Sequence, residues 1–388
     1  MNLSEVNRIL FMGIESHLLS PTQAIIDLAS LTHNLRVLEH QAGDINVIGV
    51  VKADAYGHGS VEVSKALISS GVGSLAVATV AEAVVLRQAG IEEIILVFGA
   101  PRTSSIEACV EYDLEPFITG LDSLDVIRSF SGLRVHLLVD TGMARLGVHP
   151  DEVKTAIQAI ERMPGNHLQA ISTHFASAGQ PGSAFVREQW GKFESVLANL
   201  ESKPAEVHLA STSALFTVPE SIDPDIVDSA RIGIGLYGLL EPLGYSTESP
   251  LKPVMTLQSE VAHVKWVKAG APVSYNAEWC APERTRIATV AAGYADGYPR
   301  ILSNRASVGI NGSLYPVVGA ICMDLFMVNL GPGPANEAEA DTRINPGDKV
   351  ILFGSGGPSA IKTAEQAETI PYELVCCVGT RVPRIYSS

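Results

Sequence analysis

At 388 residues, with 46% hydrophobic and only 18% charged side chains, the chain holds enough apolar mass for two folded domains and too much for a disordered one. Twenty-seven basic residues against 42 acidic ones leave a net charge of −15, which repels nucleic-acid backbones and anionic membrane surfaces, so neither is expected as a partner. No apolar run approaches the roughly 20 residues a membrane-spanning helix needs. The short patch at 9–14 runs into Glu15 and His17 rather than a small-residue cleavage site, which predicts a cytoplasmic protein. Five cysteines, Cys109, Cys280, Cys322, Cys376 and Cys377, are scattered outside any CxxC spacing. They point to neither a disulfide framework nor a zinc site, and Cys376 and Cys377 read as core thiols.

Residues 1–20 read as an N-terminal extension that can pack on a later β domain. After a first apolar, β-branched run at 24–28, eight more follow at 47–52, 74–79, 94–99, 114–119, 134–140, 168–175, 206–211 and 230–235. They are nearly continuous in hydrophobicity, as strands buried on both faces are. Segments of helical period lie between them, for example at 28–41, 80–88 and 151–162, at lengths suited to right-handed parallel crossovers. This pattern predicts an α/β chain whose residues 21–245 form a (β/α)8 barrel of the TIM type, with a doubly wound open sheet as the rival.

The stretch 241–253, rich in Pro, Gly and Ser, reads as a domain boundary. Beyond it helical periodicity nearly vanishes. Runs at 254–267, 286–292, 306–310 and 349–353, punctuated by Asn311-Gly312 and Pro346-Gly347, predict a mostly-β C-terminal domain over 246–388 with short hairpins and an exposed loop at 331–347.

Barrel enzymes gather their reactive groups at the carboxyl ends of the strands. There, Lys52 closes an apolar run and enters a small-residue, glycine-rich turn ending in Tyr56-Gly57-His58-Gly59. A lysine desolvated in this way has a lowered pKa and forms Schiff bases, whereas a lone lysine at a barrel rim merely snorkels. The last two strands end in Ser211-Thr212-Ser213 and Arg231-Ile232-Gly233-Ile234-Gly235, hydroxyls and glycine amides where barrels commonly hold a phosphate. Gly233, Gly235 and Gly238 also spell GxGxxG, but on the last barrel strand rather than in a first βα turn, which argues against dinucleotide binding.

These residues resemble the pyridoxal-phosphate-dependent alanine racemase family, and the resemblance runs over 24–384. It is carried by VKADAYGHG at 51–59, DTGMARLG at 140–147, THFASA at 173–178, RIGIGLYG at 231–238, VSYNA at 273–277, GYADGYPR at 293–300, ICMD at 321–324 and RVPRIY at 381–386. The resemblance implies an isomerase that interconverts L- and D-alanine by two-base proton transfer on pyridoxal 5′-phosphate and supplies D-alanine for peptidoglycan. It makes Lys52 the covalent anchor of the cofactor and one catalytic base, and Tyr275 the other base. It also implies that Tyr56, Ser211, Thr212, Gly233, Ile234 and Tyr372 bind the phosphate segment and that Arg231 faces the pyridine nitrogen. Arg145 would reach the cofactor's phenolic oxygen and the substrate carboxylate, with His174 supporting Tyr275 and Arg231. Family members are homodimers in which the C-terminal domain of one subunit covers the barrel mouth of the other, so Tyr275, Met323 at the substrate, and Tyr294 and Asp324 at the access path would act across the interface. No metal is implied, and His208 reads as structural.

Several positions depart from the family pattern. Leu138 stands where many members carry a carbamylated lysine, Ser211-Thr212 replaces Asn-Ser, and Asn276 replaces a glycine. Trp279 replaces a second tyrosine, and Ala320 and Leu325 replace an Arg and a Gln. With Leu138 apolar, Arg145 is expected to find a substitute anion, a nearby carboxylate or a chloride. The rivals are a racemase of another amino acid such as serine, a barrel-type pyridoxal-phosphate decarboxylase, against which Arg231 and Tyr275 argue, and a non-catalytic cofactor carrier, which lacks the C-terminal domain.

Overall fold

The computed structural model describes residues 20–240, 249–332 and 344–387, which divide into two compact units. Strand β1 (Gln23–Asp27) opens the described chain. Eight short strands follow: β2 (Asn46–Val50), β3 (Ser74–Val77), β4 (Ile94–Val97), β5 (Glu115–Ile118), β6 (Arg134–Leu138), β7 (His167–Ser172), β8 (Glu206–His208) and β9 (Ser229–Ile232). They pair in parallel in chain order, and β9 returns to β2, closing the barrel of the unit Leu28–Lys252. In β2, β3 and β4 only the first residue escapes burial, and β5 is buried throughout. A strand with a packed interior on one side and helices on the other has no wet face, which is why its sequence is continuously apolar.

The helix that completes the ring comes from the beginning of the chain. Among the described residues of this unit β9 is followed by the short turn Ile234–Tyr237, and helix Leu28–Ala42 packs against it. Asn34 Nδ2 donates to the Leu236 carbonyl at 3.0 Å, while Leu31, Leu35 and Leu38 recur at helical spacing on the buried face.

The second unit joins β1 to the chain from Pro253 onward. It contains β10 (Met255–Val267), β11 (Pro272–Val273), β12 (Trp279–Cys280), β13 (Thr285–Val290), β14 (Ser307–Ile310), β15 (Ser313–Val318), β16 (Phe326–Pro332), β17 (Lys349–Phe353) and β18 (Arg384–Ser387). The sheet order is β13-β16-β15-β14-β17-β10-β1-β18, with β10 reaching back to β13. Asn311 and Gly312, at φ 49° and 79°, form the two-residue turn between β14 and β15, where Ile310 pairs with Ser313. Both residue types tolerate positive φ, which a tight hairpin of this kind requires.

Two sequence expectations change. The barrel is expected to start at residue 21, but β1 pairs antiparallel with β10 and parallel with β18, so it belongs to the second unit and the barrel unit begins at Leu28. Cys376 and Cys377, expected in the core, are exposed, because they fall at the end of the short helix Pro371–Cys376 whose buried residues are Pro371, Leu374 and Val375. The expected N-terminal extension falls, up to residue 19, outside the described residues, as do 241–248 of the expected boundary and 333–343 of the expected loop.

Candidate active site

Lys52 leaves β2 at its carboxyl end, half-buried, with Nζ 6.0 Å from the centre of the Tyr56 ring. The backbone after it is unusual: Ala53, Asp54, Ala55 and Tyr56 all have φ between 52° and 54°, one turn of left-handed helix built from residues with a Cβ. Each such residue costs roughly 1–2 kcal/mol, so the turn persists only because its surroundings over-determine it. Glu82 supplies one of these restraints. Its Oε1 accepts from Ala53 N at 2.7 Å, while Oε2 accepts from Ala78 N and Thr79 N at 2.8 and 2.9 Å and completes the capping box of helix Val80–Gln88. Asp54 Oδ1 accepts from Ser60 N at 2.7 Å on the other flank.

A single carboxylate thus ties the lysine turn to the next helix. Replacing it by Glu82→Ala is expected to cost about 1–3 kcal/mol, the sum of a lost cap and an unpaired amide. Glu82→Gln, which keeps an oxygen acceptor, is expected to cost less. Urea unfolding midpoints of both variants test this, and equal losses would contradict the assigned role.

The ends of β8 and β9 converge on the same mouth. Ser211 caps helix Thr212–Thr217, and Thr212 Oγ1 accepts from Gly235 N at 3.2 Å. A Cβ on Gly233 would lie 2.5 Å from the Tyr56 hydroxyl, and one on Gly235 would lie 2.6 Å from Thr212 Cγ2. Glycine is needed at both positions because side chains already fill that space. The result is a cradle of hydroxyls and backbone amides beside Ile234.

Arg231, buried at the end of β9, donates through Nη1 to His208 Nδ1 at 2.7 Å and to the His208 carbonyl at 2.6 Å. Its Nη2 donates to the Thr173 carbonyl at 2.7 Å and faces His174 Nδ1 at 3.4 Å. Burial lowers its pKa to about 10, which still leaves it charged at neutrality. His174 is pushed down to about 3 by burial, then by the charges of Arg231, Arg145 and Lys52. It is therefore neutral, and all three charges disfavour its protonation.

Arg145 sits on a loop pinned by Asp140, whose Oδ1 accepts from Gly142 N and Ala144 N at 2.9 and 3.1 Å. The expected substitute carboxylate is not found: among the described residues Arg145 makes no ion pair, and Leu138 is half-buried at the end of β6. The desolvation argument that demanded a partner lapses because the Arg145 side chain is exposed and keeps its hydration.

The remaining candidates belong to the second unit. Tyr275 is 66% exposed on the turn after β11, where Ser274 Oγ donates to the Ala320 carbonyl at 2.6 Å. Asn276, at the position where the resemblance led to a glycine, has φ 61°, and asparagine is among the L-residues that best tolerate that region. Tyr294 and Met323 are exposed, and their segments are joined by Tyr294 N donating to the Cys322 carbonyl at 3.1 Å. Asp324 pairs with Arg381 Nη2 at 2.9 Å, while Arg381 Nε bonds Asp296 at 2.7 Å. Tyr372 is half-buried on helix Pro371–Cys376.

Residues 26–241 match the family description "Alanine racemase, N-terminal domain", and residues 254–386 match "Alanine racemase, C-terminal domain". The chain belongs to the alanine racemase family. It is similar to the alanine racemase of Chlorobaculum tepidum, at 39% identity over 94% of this chain and 95% of that one. It is also similar to the alanine racemase of Halothermothrix orenii, at 37% identity over 95% and 97%. Among solved structures, alanine racemase from E. faecalis superposes with a TM-score of 0.86 at 32% identity over 95% of this chain and 98% of that one. The enzyme from Streptomyces lavendulae gives 0.86 at 34% identity over 95% and 97%. Members of this family are isomerases acting on amino acids, and the barrel followed by a mostly-β unit is their architecture.

Within this family member, sequence reasoning overlooks Glu82, Glu115 and His136 and reads His208 as merely structural. His208 in fact holds Arg231 directly. The available signal is a titratable residue inside an otherwise buried strand: Glu115, His136 and His208 interrupt β5, β6 and β8, where an unpaired polar group is too costly to persist.

Proposed function

We propose that this racemase interconverts L- and D-alanine on pyridoxal 5′-phosphate, in the cytoplasm and as a homodimer, and supplies D-alanine for peptidoglycan. The observation that carries this reading is Lys52 at the carboxyl end of β2, its Nζ 6.0 Å from the centre of the Tyr56 ring, whose hydroxyl lies against Gly233 at the end of β9. The cradle at the ends of β8 and β9 fits the cofactor: Gly233 and Gly235 let the Tyr56 phenol and the Thr212 hydroxyl close in on the backbone, which gathers neutral polar groups suited to a phosphate. In that reading Lys52 would hold the cofactor's aldehyde carbon, Tyr56, Ser211, Thr212, Gly233, Ile234 and Tyr372 its phosphate segment, and Arg231 its ring nitrogen. When bound, the cofactor supplies an electron sink for the carbanion left when an amino acid loses its Cα proton.

The chain's own residues then have defined tasks. Lys52 and Tyr275 would hold or accept the Cα proton on opposite faces, which inversion requires. Arg145, charged and exposed, would seat the substrate carboxylate, with Met323, Tyr294 and Asp324 lining the approach. Arg231 does not surrender its proton near neutrality, so it would leave the ring nitrogen unprotonated. That would make the bound cofactor a weaker electron sink and would disfavour transamination.

Chiral chromatography of each common L-amino acid after incubation with protein and cofactor tests the activity, with racemised alanine expected to dominate. Borohydride reduction and peptide mapping test the anchor, and a pyridoxyl group on any lysine other than Lys52 would overturn it.

A further inference from the structure

Inside the barrel, four charged or titratable side chains form one hydrogen-bonded chain. Glu115 on β5, His136 on β6, His208 on β8 and Arg231 on β9 are all buried. Glu115 Oε2 stands 2.7 Å from His136 Nε2, His136 Nδ1 stands 2.8 Å from His208 Nε2, and His208 Nδ1 stands 2.7 Å from Arg231 Nη1. At the outer end, Arg134 Nε donates to Glu115 Oε1 at 2.5 Å. Phe117 stacks on His136 with ring centres 5.3 Å apart and lies 5.6 Å from His208, which keeps both imidazole planes in place.

Valence fixes the order of the protons. A guanidinium has donors only, so His208 Nδ1 is bare and its proton is on Nε2. That proton points at His136 Nδ1, which is therefore bare as well, and the His136 proton is on Nε2. Glu115 must then accept as a carboxylate. Reversing any link sets two N–H groups against each other across a short buried contact. The charge balance agrees: burial and the Arg231 charge hold His208 well below its usual range. Burial alone would raise Glu115, but its hydrogen bonds to His136 and Arg134 outweigh that and bring it below the usual carboxylate range.

We propose that Glu115 is a positioning residue: Arg231 and Glu115 hold the proton order from the two ends of the chain, and only with the carboxylate taking the last N–H, that of His136, does His208 stay seated on Arg231 Nη1, leaving Nε–H for the ligand at the barrel mouth. Nη1 and Nη2 meet His208, Thr173 and His174, while no acceptor meets Nε–H among the described residues. The role assigned to Nε–H rests on the functional reading above, whereas the proton order does not.

Long-range 1H–15N NMR of the full-length protein labelled on histidine reads the tautomers directly. Wild type is expected to show His136 and His208 as neutral Nε2–H forms. An imidazolium or an Nδ1–H form at His208 would overturn the proposal whatever the variants do. Glu115→Met removes the acceptor, and His136→Phe breaks the chain one link further in and serves if the first variant does not fold. Each is expected to mix the tautomers of the remaining histidines and to lower kcat roughly ten- to hundredfold, the usual worth of an outer hydrogen-bond partner, with KM little changed. Glu115→Gln keeps an oxygen acceptor and is expected to restore both the tautomers and most of kcat. Unchanged Nε2–H forms in the folded Glu115→Met protein would show that Arg231 orders the chain alone and refute the proposal. The stated tautomers in a wild type that racemises nothing would support the chain and count against the functional reading only.

Discussion

In Tyr275→Phe, exchange of the α-proton with solvent is expected to persist from one enantiomer of alanine and to fall by roughly 10²- to 10⁴-fold from the other, the usual worth of a positioned acid or base. The asymmetry is the informative part. Two bases on opposite faces predict that losing one phenol silences one face, while Lys52 continues to serve the other and the cofactor remains bound. The substitution is structurally mild, because the Tyr275 side chain is 66% exposed and supports no core. Deuterium incorporation followed separately from L- and D-alanine gives the result, and equal losses from both would count against the two-base reading.

The second large effect is a recovery. Lys52 lies in the barrel unit and Tyr275 in the β unit, and we propose that they serve one reaction from two subunits. Lys52→Ala and Tyr275→Phe proteins, each nearly inactive alone, are then expected to regain activity on mixing if subunits exchange. One site of each hybrid dimer carries both wild-type residues and the other carries both lesions. A closed two-fold dimer has only two sites, so recovery should not exceed about half the sites of the hybrid. Exchange confirmed by mass without any return of activity would contradict the shared arrangement.

The eight barrel strands are legible in the sequence because a strand buried on both faces has no polar alternation to hide it, and each of the eight runs after the first overlaps one strand from β2 to β9. The first run is equally legible as a strand, yet nothing in five residues says which sheet will receive it, and β1 goes to the other unit. Lys52 stands out because a charge closes an apolar run. Glu82 does not, since its bond to the Ala53 amide depends on a left-handed turn that alanines do not announce. Arg145 shows the opposite failure: its motif is plain, but its exposure, and hence its independence of a carboxylate partner, is a property of the folded loop.

The placement of β1 and of helix Leu28–Ala42 bears on how the molecule is made. β1 pairs with β18 through Ala24 and Arg384, and the helix that follows it packs against the turn Ile234–Tyr237. A ribosome delivers both segments before these partners: β1 has no strand to pair with until β10 is made, and the helix, which meets helix Ser60–Ser69 early, still waits for the turn Ile234–Tyr237. Until then a five-residue strand offers an open edge, and a helix with Leu31, Leu35 and Leu38 on one face offers an apolar stripe, to any neighbouring nascent chain. Contacts of such long sequence separation slow the search for the native state. The ring cannot be sealed before β9, its eighth strand, has been synthesised, and the β sheet waits for β18. Demand for a chaperone during synthesis should therefore be set by these two early segments rather than by the length of the protein.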